Sequence, residues 1–457
     1  MEKEKTNIYF VGAGGIGMAA LERYFMAKGF KVAGYDRTAT DLTRALEKEG
    51  VVIAYDEDPS LIPADFRDPA TTLVVYTPAV PDSHRGLRFF RENGFEVVKR
   101  AAVLGLVTRH SRALCFSGTH GKTTTSSMAA HILHESPAGC NAFLGGVLRN
   151  YGTNFLLDAG SEFSVVEADE YDRSFHHLRP EVAVVTATDP DHLDIYGTEE
   201  AYLESFAHFT ELIRHRGTLI KHTGLKLRER PAPDVRVLTY SRTEGDFHAE
   251  NIVRGNGTIR FDFVAPDGVT PGIELGVPVE INIDNAIAAM AAVWAAGQFD
   301  PDTVRRAMAS FMGPKRRFEF WLREPGRAVI DDYAHHPDEL RNSILSVRAL
   351  FPDRKLTVAF QPHLFSRTRD FYPEFARALS LADEVLLLDI YPARELPMEG
   401  VTSKLIFDLV TAPEKAMVTR DGLPSAVEAR NVSLLLTAGA GDICDKLPEI
   451  VEKLKRK

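Results

Sequence analysis

The stretch Cys115–Ser126, CFSGTHGKTTTS, constrains the fold of this chain more than any other. An apolar strand runs into glycines and then into a helix start, the setting that a phosphate-cradling loop requires. Gly118, Gly121, Lys122 and Thr123 keep a G-x-x-G-K-T spacing, and position 116 is Phe where the commoner G-x-x-x-x-G-K-[ST] pattern begins with glycine. The chemistry survives that change. Backbone amides point into the cradle, Lys122 reaches the β- and γ-phosphates, and the Thr123 hydroxyl can ligate Mg2+. The run Thr123-Thr124-Thr125 suits a helix interior poorly, but at a helix start its hydroxyls have a use. Gly118, Thr119, His120, Gly121, Lys122, Thr123 and Thr124 thus form a candidate ATP loop.

A second glycine loop stands near the N-terminus. Ile8–Met18, IYFVGAGGIGM, fits G-x-G-x-x-G after a short apolar run. Gly12, Gly14, Gly15 and Gly17, with Ile16 among them, let the backbone turn tightly and approach a diphosphate on the N-terminus of the next helix. Asp36 ends the second strand 24 residues after Gly12, about where a ribose-binding acid is expected. The motif specifies a diphosphate more firmly than a nicotinamide. Glycines kept only for close helix–sheet packing are the structural alternative.

Around both loops, apolar strands alternate with helical stretches, which implies parallel sheets covered by helices. IYFVG, KVAGYD, TTLVVYTP and EVVKR form one series, and the pattern restarts at ALCFSG with EFSVVEAD and EVAVVTATD. Between Gly217 and Val279 short alternating pieces with many turn residues read as a small antiparallel insert. A third series follows MGPKRRFEFW: AVIDDYA, KLTVAFQP, EVLLLDIYP and VSLLLTAGAGD. At 457 residues the chain is too long for one core. The expectation is three α/β domains in series: 1–108, Rossmann-like; 109–313, a central P-loop ATPase-type domain with a parallel sheet and the insert; and 314–457, Rossmann-like again.

Composition narrows the function classes. A net charge of −10 argues against a nucleic-acid partner. The three cysteines, Cys115, Cys140 and Cys444, are widely spaced and form no CxxC, so neither disulfides nor structural zinc is expected. MEKEKTN has no apolar signal region and no apolar run is long enough for a membrane, so the expected compartment is the cytoplasm.

Two strands end on polar clusters: Glu167, Asp169, Glu170 and Asp172 in VVEADEYD, and Asp189, Asp191, His192 and Asp194 in VVTATDPDHLD. Ligands bind beyond the carboxyl ends of parallel strands, so these groups should face the phosphate loop. Mg2+ beside a triphosphate takes one or two carboxylates with water and phosphate oxygens. Glu167 and His192 are the candidate metal ligands, and solvated loop positions are the alternative for Asp189, Asp191 and Asp194.

With GTHGKTTT, EADEYD, DPDHLD, the N-x-x-N of Asn282 and Asn285, KRRFEF, DDYAHHP and FQPHLFSRTRDF in this order, the sequence resembles the Mur ligase family over almost its whole length. These are ATP-dependent amino-acid ligases of peptidoglycan precursor synthesis. FVGAGGIGM, LLLDIYPAREL and GVTS are most similar to the member that adds the first amino acid. Ligases adding D-glutamate or diaminopimelate carry a carbamylated lysine fourteen residues after the histidine of D-H-x-D, where this chain has Phe206.

The resemblance implies that ATP activates the lactyl carboxylate of UDP-N-acetylmuramate as an acyl phosphate, which L-alanine then attacks. It implies two Mg2+ ions, replaceable by Mn2+, with Thr123 on the first and Glu167 and His192 on the second. Thr77 and Pro78 join the first glycine loop at the UDP-sugar. Asn285 would meet adenine, Arg317 the ATP phosphates, and Asp332 the ribose or the linker arginine. Tyr333, His335, His363 and Arg367 resemble the amino-acid side, with Lys122, Glu167, His192, His335 and Arg367 as the catalytic set. No membrane insertion is implied, and the assembly is a monomer or homodimer. Leu364 replaces an arginine that the family often has, shifting weight to Arg367 or Arg369, and Ile281 replaces a usual histidine. Arg316 reads as a plain basic turn. A peptide-recycling ligase of the same family is the near alternative, and a nicotinamide-dependent oxidoreductase the distant one.

Overall fold

The computed structural model describes residues 5–77, 80–190, 193–255, 257–393 and 395–455, with only the backbone of 193 and 194. Two compact units divide the chain. The first comprises Met1–Glu250, Asp262–Ile273 and Asp284–Met308; the second comprises Asn251–Phe261, Glu274–Ile283 and Ala309–Lys457.

The first unit opens with five strands: β1 (Asn7–Val11), β2 (Lys31–Tyr35), β3 (Val52–Ala54), β4 (Thr72–Tyr76) and β5 (Glu96–Lys99). They pair in parallel in the order β3-β2-β1-β4-β5. All five residues of β1 are buried, as a central parallel strand covered on both faces requires. Helices α1 (Ile16–Ala27), α2 (Asp41–Glu49), α3 (Arg85–Glu92) and α4 (Arg100–Arg109) make the connections. The strand order reverses between β1 and β4, the point at which an open sheet leaves a crevice for a ligand.

A second sheet follows: β6 (Arg112–Ser117), β7 (Asn141–Leu148), β8 (Thr153–Leu156), β9 (Phe163–Glu167), β10 (Val182–Val185), β11 (Thr218–His222) and β12 (Arg236–Tyr240). Its order is β12-β11-β10-β6-β9-β7-β8, and only β7 and β8 pair antiparallel. Central β6 is therefore flanked by β10 and β9, and three carboxyl ends converge. Helices α5 (Lys122–His134), α6 (Leu193–Tyr196) and α7 (Glu199–Glu211) accompany it.

The antiparallel insert is shorter than the sequence suggests. TLIKH and RVLTY extend the parallel sheet as β11 and β12. No helix separates them, so the usual mark of a parallel crossover is missing from the sequence. The insert itself is β13 (His248–Gly255), β14 (Thr258–Ala265) and β15 (Gly268–Glu274), a three-stranded sheet in that order. Helix α8 (Ile281–Ala295) then buries Ala286, Ala288, Ala289, Ala291 and Ala292 completely.

The second unit carries a six-stranded sheet of β16 (Glu319–Glu324), β17 (Arg327–Asp332), β18 (Leu356–Phe360), β19 (Glu384–Leu387), β20 (Glu414–Met417) and β21 (Leu434–Ala438). The order is β16-β17-β21-β18-β19-β20, parallel apart from the β16–β17 hairpin. Among the described residues no helix is long and apolar enough to cross a membrane. All three cysteines are free, as their spacing suggests.

One side chain breaks the apolar pattern of α1. Glu22 is fully buried, and neither carboxyl oxygen has a hydrogen-bond partner among the described residues. Burial raises its pKa well above the ordinary value; Arg23 opposes this, and Asp36 and Glu49 add to it. An acid whose pKa is raised on folding favours the fold at low pH, and that contribution is lost as pH rises through the folded-state value. Glu22→Met keeps the length and removes the unsatisfied oxygens. Its expected effect at neutral pH is a gain of about 1–3 kcal/mol, read from urea unfolding, with a weaker loss of stability on raising the pH.

Candidate active site

Strand β6 ends at Ser117, and the chain passes through Gly118 (φ +134°) and Gly121 (φ +83°) into α5. Both angles lie where glycine alone is unstrained. A Cβ on Gly118 would overlap the Thr186 hydroxyl, and one on Gly121 would lie 2.8 Å from Asn285 Oδ1. The β10 side pins the loop. Thr119 donates its amide to Ala187 O at 3.1 Å and its hydroxyl to Asp189 O at 2.7 Å. Thr186 donates to Ser117 O and His120 O.

At the head of α5, Lys122 donates to Gly118 O and to Glu170 Oε1, both at 2.7 Å. The pair is sequestered, with side chains 15% and 1% exposed. Thr123 donates to Glu167 Oε1 at 3.0 Å, and Glu167 Oε2 accepts the Gly145 amide at 3.0 Å. Thr124 is half-buried on the same turn. Thr125 donates to Asn285 Oδ1 at 3.2 Å, so Asn285 lies against the loop through both Gly121 and Thr125. Burial raises the pKa of Glu167 against the pull of Thr123, Lys122 and Gly145, and raises that of Glu170 against Lys122.

Thr123 Oγ1 and Glu167 Oε1 put two hard oxygen donors side by side, a donor set that fits Mg2+ completed by phosphate oxygens and water. No group of three or more His, Cys, Asp or Glu able to hold a metal occurs among the described residues. His192 and Pro78 lie outside the described residues, as does Asp191. Phe206 is fully buried on α7, its ring 5.3 Å from that of Phe175. Sequence reasoning placed Glu170 only among the acids that could orient a metal shell and missed its pairing with Lys122. The signal was present, since an isolated lysine at a phosphate loop needs a counter-charge and EADEYD supplies one.

The first glycine loop opens at the β1–β4 switch point. Gly12 and Ala13 donate their amides to Tyr35 O at 2.8 and 2.9 Å. A Cβ on Gly12 would come 2.5 Å from Thr77 Cγ2. Asp36 accepts the Gly14 amide at 2.7 Å and the Thr38 amide at 3.0 Å, so the acid expected at a ribose holds the loop itself. Gly15 caps α1, and Ile16 begins it in solvent. From Gly17 a cavity of about 100 Å³ runs past Arg100 and Asn154 to Gly145, Glu167 and Asp169. The first loop thus shares this space with Glu167, the carboxylate that accepts from Thr123.

The remaining candidates, Arg317, Asp332, Tyr333, His335, His363 and Arg367, belong to the second unit. Asp332 ends β17 and accepts the Phe318 amide at 3.2 Å and the Ser343 hydroxyl. Burial raises its pKa. The Arg317 guanidinium lies 5.9 Å from the Tyr333 ring. His335 Nδ1 lies 2.9 Å from Tyr333 O, which places a proton on that nitrogen. The His335 and His336 amides both donate to Glu339 Oε2, at the start of α9 (Pro337–Leu350). His363 stacks on Tyr391 at 5.8 Å and meets His335 edge-on at 6.1 Å. Burial lowers its pKa, aided by Arg367 and His335. His363 Nδ1 and Arg367 Nη1 are buried without a hydrogen-bond partner among the described residues, open positions for a small anionic or zwitterionic ligand. Arg369 is paired with Asp370 at 2.7 Å in solvent.

Arg316 is no solvated turn. It donates to Gly441 O at 3.1 Å and to Gly439 O, and reaches Asp331 Oδ2 at 3.4 Å. Turn composition alone hid this, because the acceptors lie on distant β17 and beyond β21.

Residues 7–112, 116–293 and 316–443 match, in turn, the Mur ligase family catalytic domain, the Mur ligase middle domain, and the Mur ligase glutamate ligase domain. The chain belongs to the Mur ligase family. It is 57% identical over 452 residues to the UDP-N-acetylmuramate–L-alanine ligase of Phocaeicola vulgatus, covering 99% of this chain and 98% of the relative. It is 56% identical over 450 residues to the enzyme of that name from Parabacteroides distasonis, with 98% and 97% covered. The crystal structure of the UDP-N-acetylmuramate–alanine ligase of Thermotoga maritima superposes with a TM-score of 0.75 at 27% identity, covering 98% of this chain and 99% of that one.

Two outcomes test this geometry. Removing one partner of a buried ion pair costs about 3–5 kcal/mol. Lys122→Met and Glu170→Gln should each weaken hydrogen-exchange protection of α5 strongly, and the apolar pair Lys122→Met/Glu170→Leu should weaken it less than either alone. In the second unit, burial pushes Asp331 up to about 6 from 3.8, against Thr437 and Arg316. Its stabilising contribution is therefore present below pH 3.8 and lost as pH rises through about 6, a loss on the order of 2–3 kcal/mol. Asp331→Asn should remove that slope from the urea midpoint measured across this range.

Proposed function

We propose that this protein joins L-alanine to the lactyl carboxylate of UDP-N-acetylmuramate at the expense of ATP, in peptidoglycan precursor synthesis. The observation that carries the reading is the cavity running from the first glycine loop to Glu167, beside Lys122 and Thr123. A diphosphate-sugar acid placed along it would bring its carboxylate to the head of α5, where a triphosphate ends. In the first step a carboxylate oxygen bonds to the γ-phosphorus, the bond to the β,γ-bridging oxygen breaks, and ADP leaves. In the second the alanine nitrogen bonds to the acyl carbon, orthophosphate leaves with the former carboxyl oxygen, and the ammonium nitrogen releases two protons to solvent and keeps one as the amide N–H.

Both reactants of the first step are anionic, so charge must be neutralised before they meet. Lys122 supplies one fixed positive charge. Thr123 and Glu167 would hold Mg2+, which supplies further neutralisation of the phosphates when bound. Gly118 to Thr124 cradle the phosphates, with Asn285 at the adenine side and Arg317 and Asp332 as further nucleotide contacts. Gly12 to Gly17, Thr77 and Pro78 receive the UDP-sugar. Arg367 is suited to pair with the alanine carboxylate, next to His335, His363 and Tyr333. The reaction belongs in the cytoplasm. A nicotinamide-dependent oxidoreductase would leave Lys122, Glu167 and the second unit without a task.

Orthophosphate release should require UDP-N-acetylmuramate, L-alanine and ATP together. An ¹⁸O label in the lactyl carboxyl should appear in the phosphate. Lys122→Met should lower kcat by about 10²–10³-fold, the usual loss when one preorganised donor is removed from a reacting centre. Turnover with a murein tripeptide in place of L-alanine would overturn the assignment in favour of a recycling ligase, and unlabelled phosphate would remove the acyl-phosphate step.

A further inference from the structure

The Arg100 guanidinium is half-buried at a cost that the protein offsets only in part. Its nitrogens have no hydrogen-bond or ion-pair partner among the described residues, while the neighbouring Lys99 is paired with Asp172 at 3.5 Å. Burial disfavours its charge, and the charge of Asp169 only partly opposes that. Arg100 is also the first residue of α4, whose first turn holds no acidic side chain, and a helix N-terminus repels a cation. Desolvation, dipole and lack of a partner all act in the same direction.

The surroundings identify what would offset them. A Cβ on Gly17 would lie 3.0 Å from Arg100 Nη1 and 3.4 Å from Cζ. The guanidinium therefore lies directly across the last glycine of G-A-G-G-I-G. Gly17 belongs to the first turn of α1, the turn whose free amides would face a diphosphate. Arg100 and Gly17 also line the same end of the cavity that leads to Glu167.

We propose that Arg100 binds the diphosphate of the UDP-sugar, closing the first glycine loop from the α4 side. The proposal rests on the functional reading above, and its test separates the two. Titration calorimetry of the full chain would use UDP-N-acetylmuramate, UDP and ATP as probes, with wild type, Arg100→Met, Arg100→Lys and Gly17→Ala. Loss of a charged hydrogen-bonding partner weakens binding by about 10–100-fold. That loss is expected in Arg100→Met for UDP and UDP-N-acetylmuramate alike, with a smaller one in Arg100→Lys and an ATP affinity unchanged in both. Gly17→Ala, which crowds the guanidinium by a few tenths of an ångström, should weaken UDP binding in the same direction but less than Arg100→Met.

Melting of the ligand-free proteins gives a readout that a structural arginine would move the other way. Arg100→Met should melt no lower than wild type and lose the upward shift that UDP gives the wild type. A lower ligand-free melting point with unchanged UDP affinity would make Arg100 structural and overturn the proposal. Weaker binding of UDP-N-acetylmuramate with unchanged UDP would place Arg100 at the sugar acid and also overturn it. A wild type that binds neither UDP compound would overturn this proposal together with the functional reading.

Discussion

The buried ammonium of Lys122 is the constraint around which the first unit is organised. A lysine can be kept charged out of water only if its protons are taken up, and here Gly118 O and Glu170 take two of them. That fixes the loop in a conformation where Gly118 and Gly121 need positive φ and bare Cα atoms. It also fixes β10, because Thr186 and Ala187 close over the same backbone. Glu170 is in turn held by its own backbone, whose carbonyl accepts the Tyr196 hydroxyl at 2.5 Å. Two sheet ends and a loop thus share one electrostatic requirement.

Such a pair resolves a conflict between folding and chemistry. Without a triphosphate, a fixed cation at the head of α5 would be isolated, and Glu170 supplies its counter-charge. A triphosphate bound there would outnumber Glu170 in charge and compete with it for Lys122. Glu167 has the complementary arrangement: its two oxygens are shared between Thr123 and Gly145, both weak claims beside that of a divalent cation.

The sequence made the three series of strands legible because buried parallel strands read as unbroken apolar runs, and β1, β6, β10, β18 and β21 are of that kind. It was less informative where pairing depends on distant partners. β11 and β12 are short and lie toward one edge of the sheet, so a local reading could not separate them from the antiparallel insert. For the site, motif residues that sit at strand ends were legible, since chain spacing fixes them. The pairing of Glu170 with Lys122 had a local signal in EADEYD, whereas Arg316 and Arg100 had none. Their partners or neighbours lie across the sheet or at another helix, and only the topology brings them together.

The turn at Leu364 in the second unit shows how a departure from a family pattern can be absorbed. Leu364 occupies a position where the family often carries arginine, yet it holds φ +71° and ψ 138°, an unfavourable backbone for any residue with a Cβ. Its amide donates to Tyr391 O at 3.0 Å, and Tyr391 in turn stacks on His363. The strained turn therefore presents His363 and starts α10 (Phe365–Leu379), and both tasks belong to the backbone whatever side chain stands there. The charge is a separate matter. One helical turn on, Arg367 keeps a buried nitrogen without a partner, whereas Arg369 spends its charge on Asp370 in solvent. A leucine at 364 thus keeps the turn that presents His363, and the unpartnered guanidinium nitrogen of this segment is the one on Arg367.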